Sequence, residues 1–195
     1  VTELGMFVAE AQRKADQEKA RLEELVAERT AALERLATTD VLTGALNRRR
    51  FLELAEQELA RAVRYRHPLC LAMLDLDHFK SINDRFGHAA GDEALRAVAD
   101  VVRGGLRTVD LLGRYGGEEL MVALPETNRD AASIALERIR TQVALIRLTP
   151  PDASVRVSGG LVEMLAGESL EAGLRRADAA LYQAKRSGRN RLIVA

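Results

Sequence analysis

The sequence predicts a mixed α/β (α+β) fold, a central mixed sheet surrounded by helices, preceded by a long coiled-coil helix. Three observations carry this expectation. Short apolar runs of strand character alternate with helix-spaced segments from residue 39 onward, a Gly-Gly pair in mid-chain turns one such run back on the next, and the first 36 residues repeat on a heptad. Alternation alone would suit an all-parallel sheet, but the central hairpin makes the sheet mixed.

The 195 residues have room for one sizeable core and an appendage, which sets the domains at 1–38 and 39–195. Formal charge balances to zero and aromatic residues are few, so no global footprint for nucleic acid is present. No apolar run approaches a membrane span, so no membrane contact by this segment is expected. A cytoplasmic location follows, with the full-length protein either soluble or membrane-anchored. Because the chain opens inside a helical pattern, an upstream sensor domain is expected. The single cysteine, Cys70, lies in an apolar run and reads as a buried, inert thiol.

Leu4, Val8, Ala11, Ala15, Glu18, Leu22, Leu25, Arg29, Ala32 and Leu36 follow alternating steps of four and three, the seam of a dimeric coiled coil. Polar Glu18 and Arg29 weaken the seam and favour a marginal dimer able to shift register, a reasonable signalling element. Thr38-Thr39-Asp40 ends the pattern, and Asp40-Val41-Leu42-Thr43-Gly44 reads as a linker turn. A helix follows from near Asn47 to Arg66, with Phe51, Leu54, Leu59 and Val63 on its apolar side, until His67-Pro68 stops it.

Leu69 to Leu74 is apolar on both alternating faces, as expected of a central strand covered on each side. Asp75 and Asp77 end it. A carboxylate at the end of a buried strand is costly unless solvated, paired or bound to a cation, which makes Asp75 a ligand candidate. Asp77 reads as the cap of the next helix, Phe79 to His88, on which Lys80 and Asn83 are three apart and can face one ligand. Gly91-Asp92 is expected to open a further helix to about Leu106, with Asp92 in its first turn.

Arg107-Thr108-Val109-Asp110 leads into the hairpin, Leu111 to Arg114 paired with Glu119 to Leu124. Gly116 and Gly117 supply the turn, leave backbone open to a bulky ligand, and set Glu118 at the bend. A helix from about Asn128 to Arg147, a loop at Pro150-Pro151, a strand at Val155 to Val162 weakened or bulged by its glycines, a helix from Ser169 to Arg186 ended by Gly188, and a strand at Leu192 to Val194 complete the chain.

If the turn meets the end of the Leu69 strand, Asp75 and Glu118 form a carboxylate pair suited to Mg²⁺, which takes few protein ligands and leaves positions for phosphate oxygens. Lys80, Lys185 and Arg189 nearby would suit a nucleoside triphosphate, and two cations would support phosphoryl or nucleotidyl transfer. No Walker A sequence is present, which argues against an ordinary P-loop NTPase.

From Asp40 to Ala195 the sequence resembles the GGDEF domains, the diguanylate cyclases, whose signature stands here as GGEEL. Asp40-Val41-Leu42-Thr43-Gly44 with Asn47-Arg48-Arg49 and Phe51 is similar to the family's opening motif. Asp75-Leu76-Asp77-His78-Phe79-Lys80, Asn83-Asp84, Gly87-His88 and Gly91-Asp92 are similar to its next block. Ala177-Asp178-Ala179-Ala180-Leu181-Tyr182-Gln183-Ala184-Lys185 with Gly188-Arg189-Asn190 resembles its ending.

The resemblance implies a fold related to nucleotidyl cyclase and polymerase palm domains, and a homodimer in which each half-site holds one GTP and two divalent ions, Mg²⁺ or Mn²⁺. The product would be 3′,5′-cyclic di-GMP, with two pyrophosphates released. It implies that Asp75, the Leu76 carbonyl, Glu118 and Glu119 hold metal, with Glu118 also favouring deprotonation of the attacking hydroxyl. Lys80 would stabilise charge on the phosphates, Asn83 and Asp92 would read guanine, His88 would line the pocket, and Lys185 and Arg189 would hold the phosphate tail. Arg107 and Asp110 resemble the family's inhibitory site for its own product, with Arg138 as a secondary contact. Leu120 replaces the usual phenylalanine and Ser158-Gly159-Gly160 departs from Ser-apolar-Gly, neither of which removes a ligand. Two readings from other classes stay open: a non-catalytic receptor for GTP or cyclic di-GMP, and a coiled-coil scaffold with a vestigial domain.

Overall fold

The computed structural model describes residues 12–13, 16–26, 28–29, 37–148 and 154–195. The predicted seam positions Leu4, Val8, Ala11, Ala15, Ala32 and Leu36, and the Pro150-Pro151 loop, lie outside the described residues. Glu18, Leu22, Leu25 and Arg29 are helical and exposed. The chain divides into two units between Thr38 and Thr39. Among the described residues no helix is long and apolar enough to cross a membrane.

The second unit runs β1 (Leu46–Asn47), α1 (Arg48–Tyr65), β2 (Leu69–Leu76), α2 (Phe79–Phe86), α3 (His88–Gly105), β3 (Leu111–Gly116), β4 (Glu119–Pro125), α4 (Arg129–Val143), β5 (Val157–Glu163), α5 (Leu170–Arg186) and β6 (Leu192–Val194). Its sheet has the order β1-β3-β4-β2-β5-β6. Strand β2 runs antiparallel to β4 and β5, β3 runs antiparallel to β4, and the outer pairs β1/β3 and β5/β6 are parallel. The sheet is therefore mixed, as the hairpin demands.

Every residue of β2 is buried, because helices cover both faces. Cys70, Ala72, Leu74 and Leu76 pack with residues of α2, α3 and α4, while Leu69, Leu71 and Met73 pack with Phe51 and Ala55 of α1 and Ala177 and Leu181 of α5. Burial pushes the Cys70 thiol up to about 12, which makes it inert. Leu120 is wholly buried in the first of these layers.

Side-chain caps start three of the helices: Asn47, Asn128 and Ser169 accept from the backbone N–H of Arg50, Ala131 and Ala172. Other boundaries differ from the sequence expectation. Helix α3 begins at His88 rather than Gly91, because Gly87 at φ 86° ends α2 and starts α3 in one step. Asp92 consequently lies in the second turn, beyond the reach of a capping role. Helix α4 stops at Val143, and Val63 of α1 is exposed while Ala55 takes the buried position.

Strand β5 carries no bulge. Gly159 and Gly160 pair regularly with Leu74 and Met73, and their role is close approach. A Cβ on Gly160 would lie 2.0 Å from the Ala177 carbonyl oxygen and 2.3 Å from the Leu181 nitrogen, so the missing side chain seats α5 on the sheet.

Candidate active site

The centre of the site is the end of β2. Asp75 sits opposite Glu119 of β4 and Ser158 of β5, so the ladder holds its backbone on both sides. Its side chain is only 7 % exposed.

Gly116 pairs with Glu119, which leaves Gly117 and Glu118 as the two turn residues. The expected Gly-Gly turn is thus displaced by one position. The cause is an irregularity in β3 between Arg114 and Gly116 that uses up one residue. Gly117 alone of the pair needs the left-handed region, at φ 51°. Neither Gly116 nor Gly117 has a heavy atom within 4 Å of where a Cβ would stand, so the turn backbone is open to a ligand.

The turn reaches the end of β2 through the Leu76 N–H, which donates to the Glu118 carbonyl oxygen at 3.4 Å. Asp75, Glu118 and Glu119 therefore converge, and Lys185 of α5 places its Nζ 2.7 Å from Asp75 Oδ2. Burial raises Asp75 to about 6; the bond and charge of Lys185 oppose this, and Glu118 and Glu119 push the same way as burial. Glu119 is raised too, by burial first and then by Asp178 and Glu118, against Lys185. Three hard oxygen donors short of positive charge are the environment a divalent cation relieves. Among the described residues no group of three acidic, histidine or cysteine side chains is placed to hold a metal ion, so a cation here would need oxygens from the backbone, a ligand or water.

Asp77 does not cap α2. His78 occupies the cap position at φ 57° without a side-chain cap bond. Asp77 turns inward instead, accepting from Ser158 Oγ at 2.7 Å and from the Asn190 N–H at 2.9 Å. The loop it anchors is left-handed at three successive residues, Gly188, Arg189 and Asn190. Arg140 holds the same loop by donating to Asn190 Oδ1 at 2.9 Å. The Arg189 side chain is left exposed at the end of α5.

A second wall comes from α2 and α3. A Cβ on Gly91 would lie 2.0 Å from Asn83 Oδ1, so the amide of Asn83 rests directly on the α3 backbone one residue before Asp92. Asp92 is half-exposed, with Arg96 at 4.0 Å. Lys80 and His88 are exposed near this wall, on α2 and at the start of α3. Among the described residues no hydrogen bond or ion pair joins Lys80, His88 or Arg189 to the acidic cluster.

Arg107 and Asp110 lie beyond the opposite end of β3 from the turn. Asp110 is turned inward with its side chain 3 % exposed, and it accepts from the Arg107 N–H at 2.7 Å and from Nη2 at 2.8 Å. Arg107 also donates to the Pro125 carbonyl oxygen and to Thr127 Oγ1. The aspartate thus braces the arginine. Arg138 donates to the Gly105 carbonyl oxygen at 3.0 Å, at the end of α3 that leads into this loop.

In the sequence, Asp40 reads as part of a linker turn and of the opening motif, and Arg114 as a hairpin residue without a role of its own. Arg114 Nη1 bonds both Asp40 oxygens at 3.0 Å, and its Nε and Nη2 donate to the Gly117 carbonyl oxygen. The turn that carries Glu118 is therefore tied to residue 40. The only sequence signal for this was an aspartate before Thr43 and Gly44, which looks the same in an ordinary turn.

A family model described as "Diguanylate cyclase, GGDEF domain" matches residues 37–191. The diguanylate cyclase DgcP of Pseudomonas aeruginosa is 47 % identical over 161 residues, covering 82 % of this chain and 24 % of that protein. The solved coiled coil and GGDEF domain of DgcB from Caulobacter crescentus, in complex with c-di-GMP, superposes with a TM-score of 0.80 at 34 % identity over the whole of both chains. The active GGEEF domain of a diguanylate cyclase from Vibrio cholerae matches with a TM-score of 0.73 at 36 % identity, covering 76 % of this chain and 96 % of that one. The chain spans less than half the length of the curated relatives it matches.

Proposed function

The chain belongs to the GGDEF family, and on that premise we propose that it is a diguanylate cyclase, condensing two GTP into 3′,5′-cyclic di-GMP across a homodimer. The observation that carries this reading is the meeting of Asp75 with Glu118, where the turn backbone bonds the end of β2 and Lys185 neutralises part of the acidic charge. A solvated surface pair of glutamates would have no buried aspartate and lysine beside it.

Asp75, the Leu76 carbonyl and Glu118 would hold Mg²⁺ or Mn²⁺, with Glu119 as a further oxygen donor. When bound, the cations supply charge neutralisation at the phosphates and make the attacking hydroxyl more acidic. Glu118 accepts the proton of the GTP 3′-hydroxyl. The freed oxygen attacks the α-phosphorus of the GTP on the partner subunit, the bond to the β-phosphate bridging oxygen breaks, and pyrophosphate leaves with the electron pair. The reciprocal attack closes the ring and releases the second pyrophosphate. Lys80 stabilises the charge that develops on the phosphates, and Lys185 and Arg189 hold the phosphate tail. Asn83 and Asp92 read guanine, whose amide and amino groups another base would leave unmatched, and His88 lines the pocket. The backbone of Gly116 and Gly117 gives the phosphates room.

Residues 1–38 act in this reading as a dimeric coiled coil, and residues 39–195 as the catalytic domain. Two GTP held in near-attack geometry gain most of what an intramolecular reaction gains, so the register of the coil sets the rate. Arg107 and Asp110, with Arg138, form a site for the product that restrains turnover.

The test is nucleotide turnover on protein stripped of bound nucleotide, with GTP and either Mg²⁺ or Mn²⁺, the product identified by mass. Cyclic di-GMP from the parent and none from Glu118→Gln is the expected result. Retained tight binding of GTP with no product under any condition would overturn the cyclase in favour of a receptor.

A further inference from the structure

A cavity of about 350 Å³ lies between the carboxyl-terminal end of α1 and the Arg107 loop. Tyr65 and His67 line it together with Arg107, Val109 and Pro125. The rings of Tyr65 and His67 stand 6.1 Å apart and are inclined by 37°. Both reach the cavity because Arg66 between them is left-handed, at φ 57°, and the N–H groups of Arg66 and His67 both donate to the Ala62 carbonyl oxygen. Glu126, also on the cavity wall, is left-handed too, at φ 51°, and its carboxylate lies 3.4 Å from His67 Nδ1. Non-glycine residues hold this conformation at a cost, which the surrounding hydrogen bonds must offset.

The charged end of the cavity is equally well set. Arg107 commits its Nε and Nη2 to Asp110, Pro125 and Thr127, which fixes the plane of the guanidinium. Among the described residues its Nη1 carries no hydrogen bond, and more than half of the side chain is exposed. A fixed guanidinium at one side of a cavity and an aromatic pair at the other match a ligand that is anionic at one end and flat at the other. Phosphate takes the fork of an arginine, and any nucleobase offers a face to an aromatic ring. The cavity falls within the usual size range of small-molecule sites.

We propose that Tyr65, flanked by His67, is the stacking wall of the product site, with a guanine base of cyclic di-GMP lying on the Tyr65 ring while Arg107 holds the phosphodiester. The inference rests on the reading of Arg107 and Asp110 as a product site and adds the surface that recognises the base. It also accounts for the position of Glu126, which pairs with His67 and keeps that ring at the cavity mouth. On the same wall Arg61 is paired with Glu58 at 2.9 Å.

Calorimetric titration of the nucleotide-stripped protein with cyclic di-GMP tests this. Tyr65→Ala should weaken binding about ten-fold or more, the range for losing one stacked base. Tyr65→Phe should stay within about two-fold of the parent, because the ring face and not the hydroxyl makes the contact. Arg107→Ala should lose binding at this site. If Tyr65→Ala binds like the parent while Arg107→Ala does not, the stacking wall is wrong and the product site stands. If Arg107→Ala also binds like the parent, the product site itself is wrong and the inference falls with it. If Tyr65→Phe is as weak as Tyr65→Ala, the hydroxyl rather than the ring face is the contact, and stacking is overturned. Tyr65 is more than half exposed at the end of its helix, so neither Tyr65 substitution threatens the core.

Discussion

Arg114 is bound by both carboxylate oxygens of Asp40, at 3.0 Å each, seventy-four positions apart in the chain. The same guanidinium holds the Gly117 carbonyl oxygen, so Asp40 fixes the turn next to Glu118. Asp40 stands two residues after the division of the chain into its two units.

Asp40→Asn should therefore disturb both the turn and the fold. Charge-assisted bonds of this kind contribute about 1.5–3 kcal/mol, and both partners are largely buried. The expected outcome is a melting temperature lower by about 5 °C and a turnover number lower by about ten-fold, with the KM for GTP little changed. A double-mutant cycle with Arg114→Met checks the origin. Strict additivity of the two substitutions would show that the pair does not act as a unit.

The same pair sets a pH dependence. Burial pushes Asp40 upward, but hydrogen bonds from the hydroxyl and N–H of Thr43 and from Arg114 outweigh it and hold the carboxyl below its ordinary value of 3.8. The unfolded chain then binds the proton first as pH falls, so the stabilisation is complete above 3.8 and is lost as pH drops through the lower, folded-state value. Thermal melts of the parent and Asp40→Asn, stepped downward from pH 5, should converge in that acid window. A constant gap between the two at all pH values would contradict the assignment.

Gly91→Ala separates binding from stability. Alanine in a helix interior is favoured over glycine by about 1 kcal/mol, so the melting temperature should hold or rise. The new Cβ would meet the Asn83 amide and, at 3.2 Å, the Phe79 ring rather than backbone, so the amide must swing away and the ring give slightly. The KM for GTP should rise about ten-fold, the scale of losing a buried hydrogen-bonding partner. Steady-state kinetics and a melt decide it, and an unchanged KM would remove Asn83 from guanine recognition.

Insertions after Ala37 test the coiled coil. Seven residues restore the heptad phase and should leave turnover within about two-fold, whereas three or four rotate the seam and should change it by about ten-fold or more, with GTP affinity unaltered throughout. Equal turnover across the series would separate activity from register.

The sequence was explicit where the physics is local. An apolar run of six residues ended by Asp75 reads as a buried strand with an exceptional carboxylate at its end, and helix starts at Asn47, Asn128 and Ser169 follow from side chains that bond the next turn. It was less explicit where one residue serves two elements. Gly87 both ends α2 and begins α3, which moved the helix start ahead of Gly91 and took Asp92 out of the first turn. The glycines of β5 looked like a defect in a strand because the α5 backbone they accommodate is distant in sequence.

What the sequence determined by itself was the order of the elements that follow β1, the mixed sheet and the family. These follow from periodicity, caps and spaced motifs, each contained within a few residues. Only the tertiary structure decided that Asp77 anchors the Asn190 loop instead of a helix, that Asp110 faces inward under Arg107, and that Arg114 ties the turn to Asp40. A buried charge needs a partner, and several acidic and basic residues could have met each requirement on paper. Which one does is set by strand register and helix packing, quantities that belong to the whole fold and to no single stretch of it.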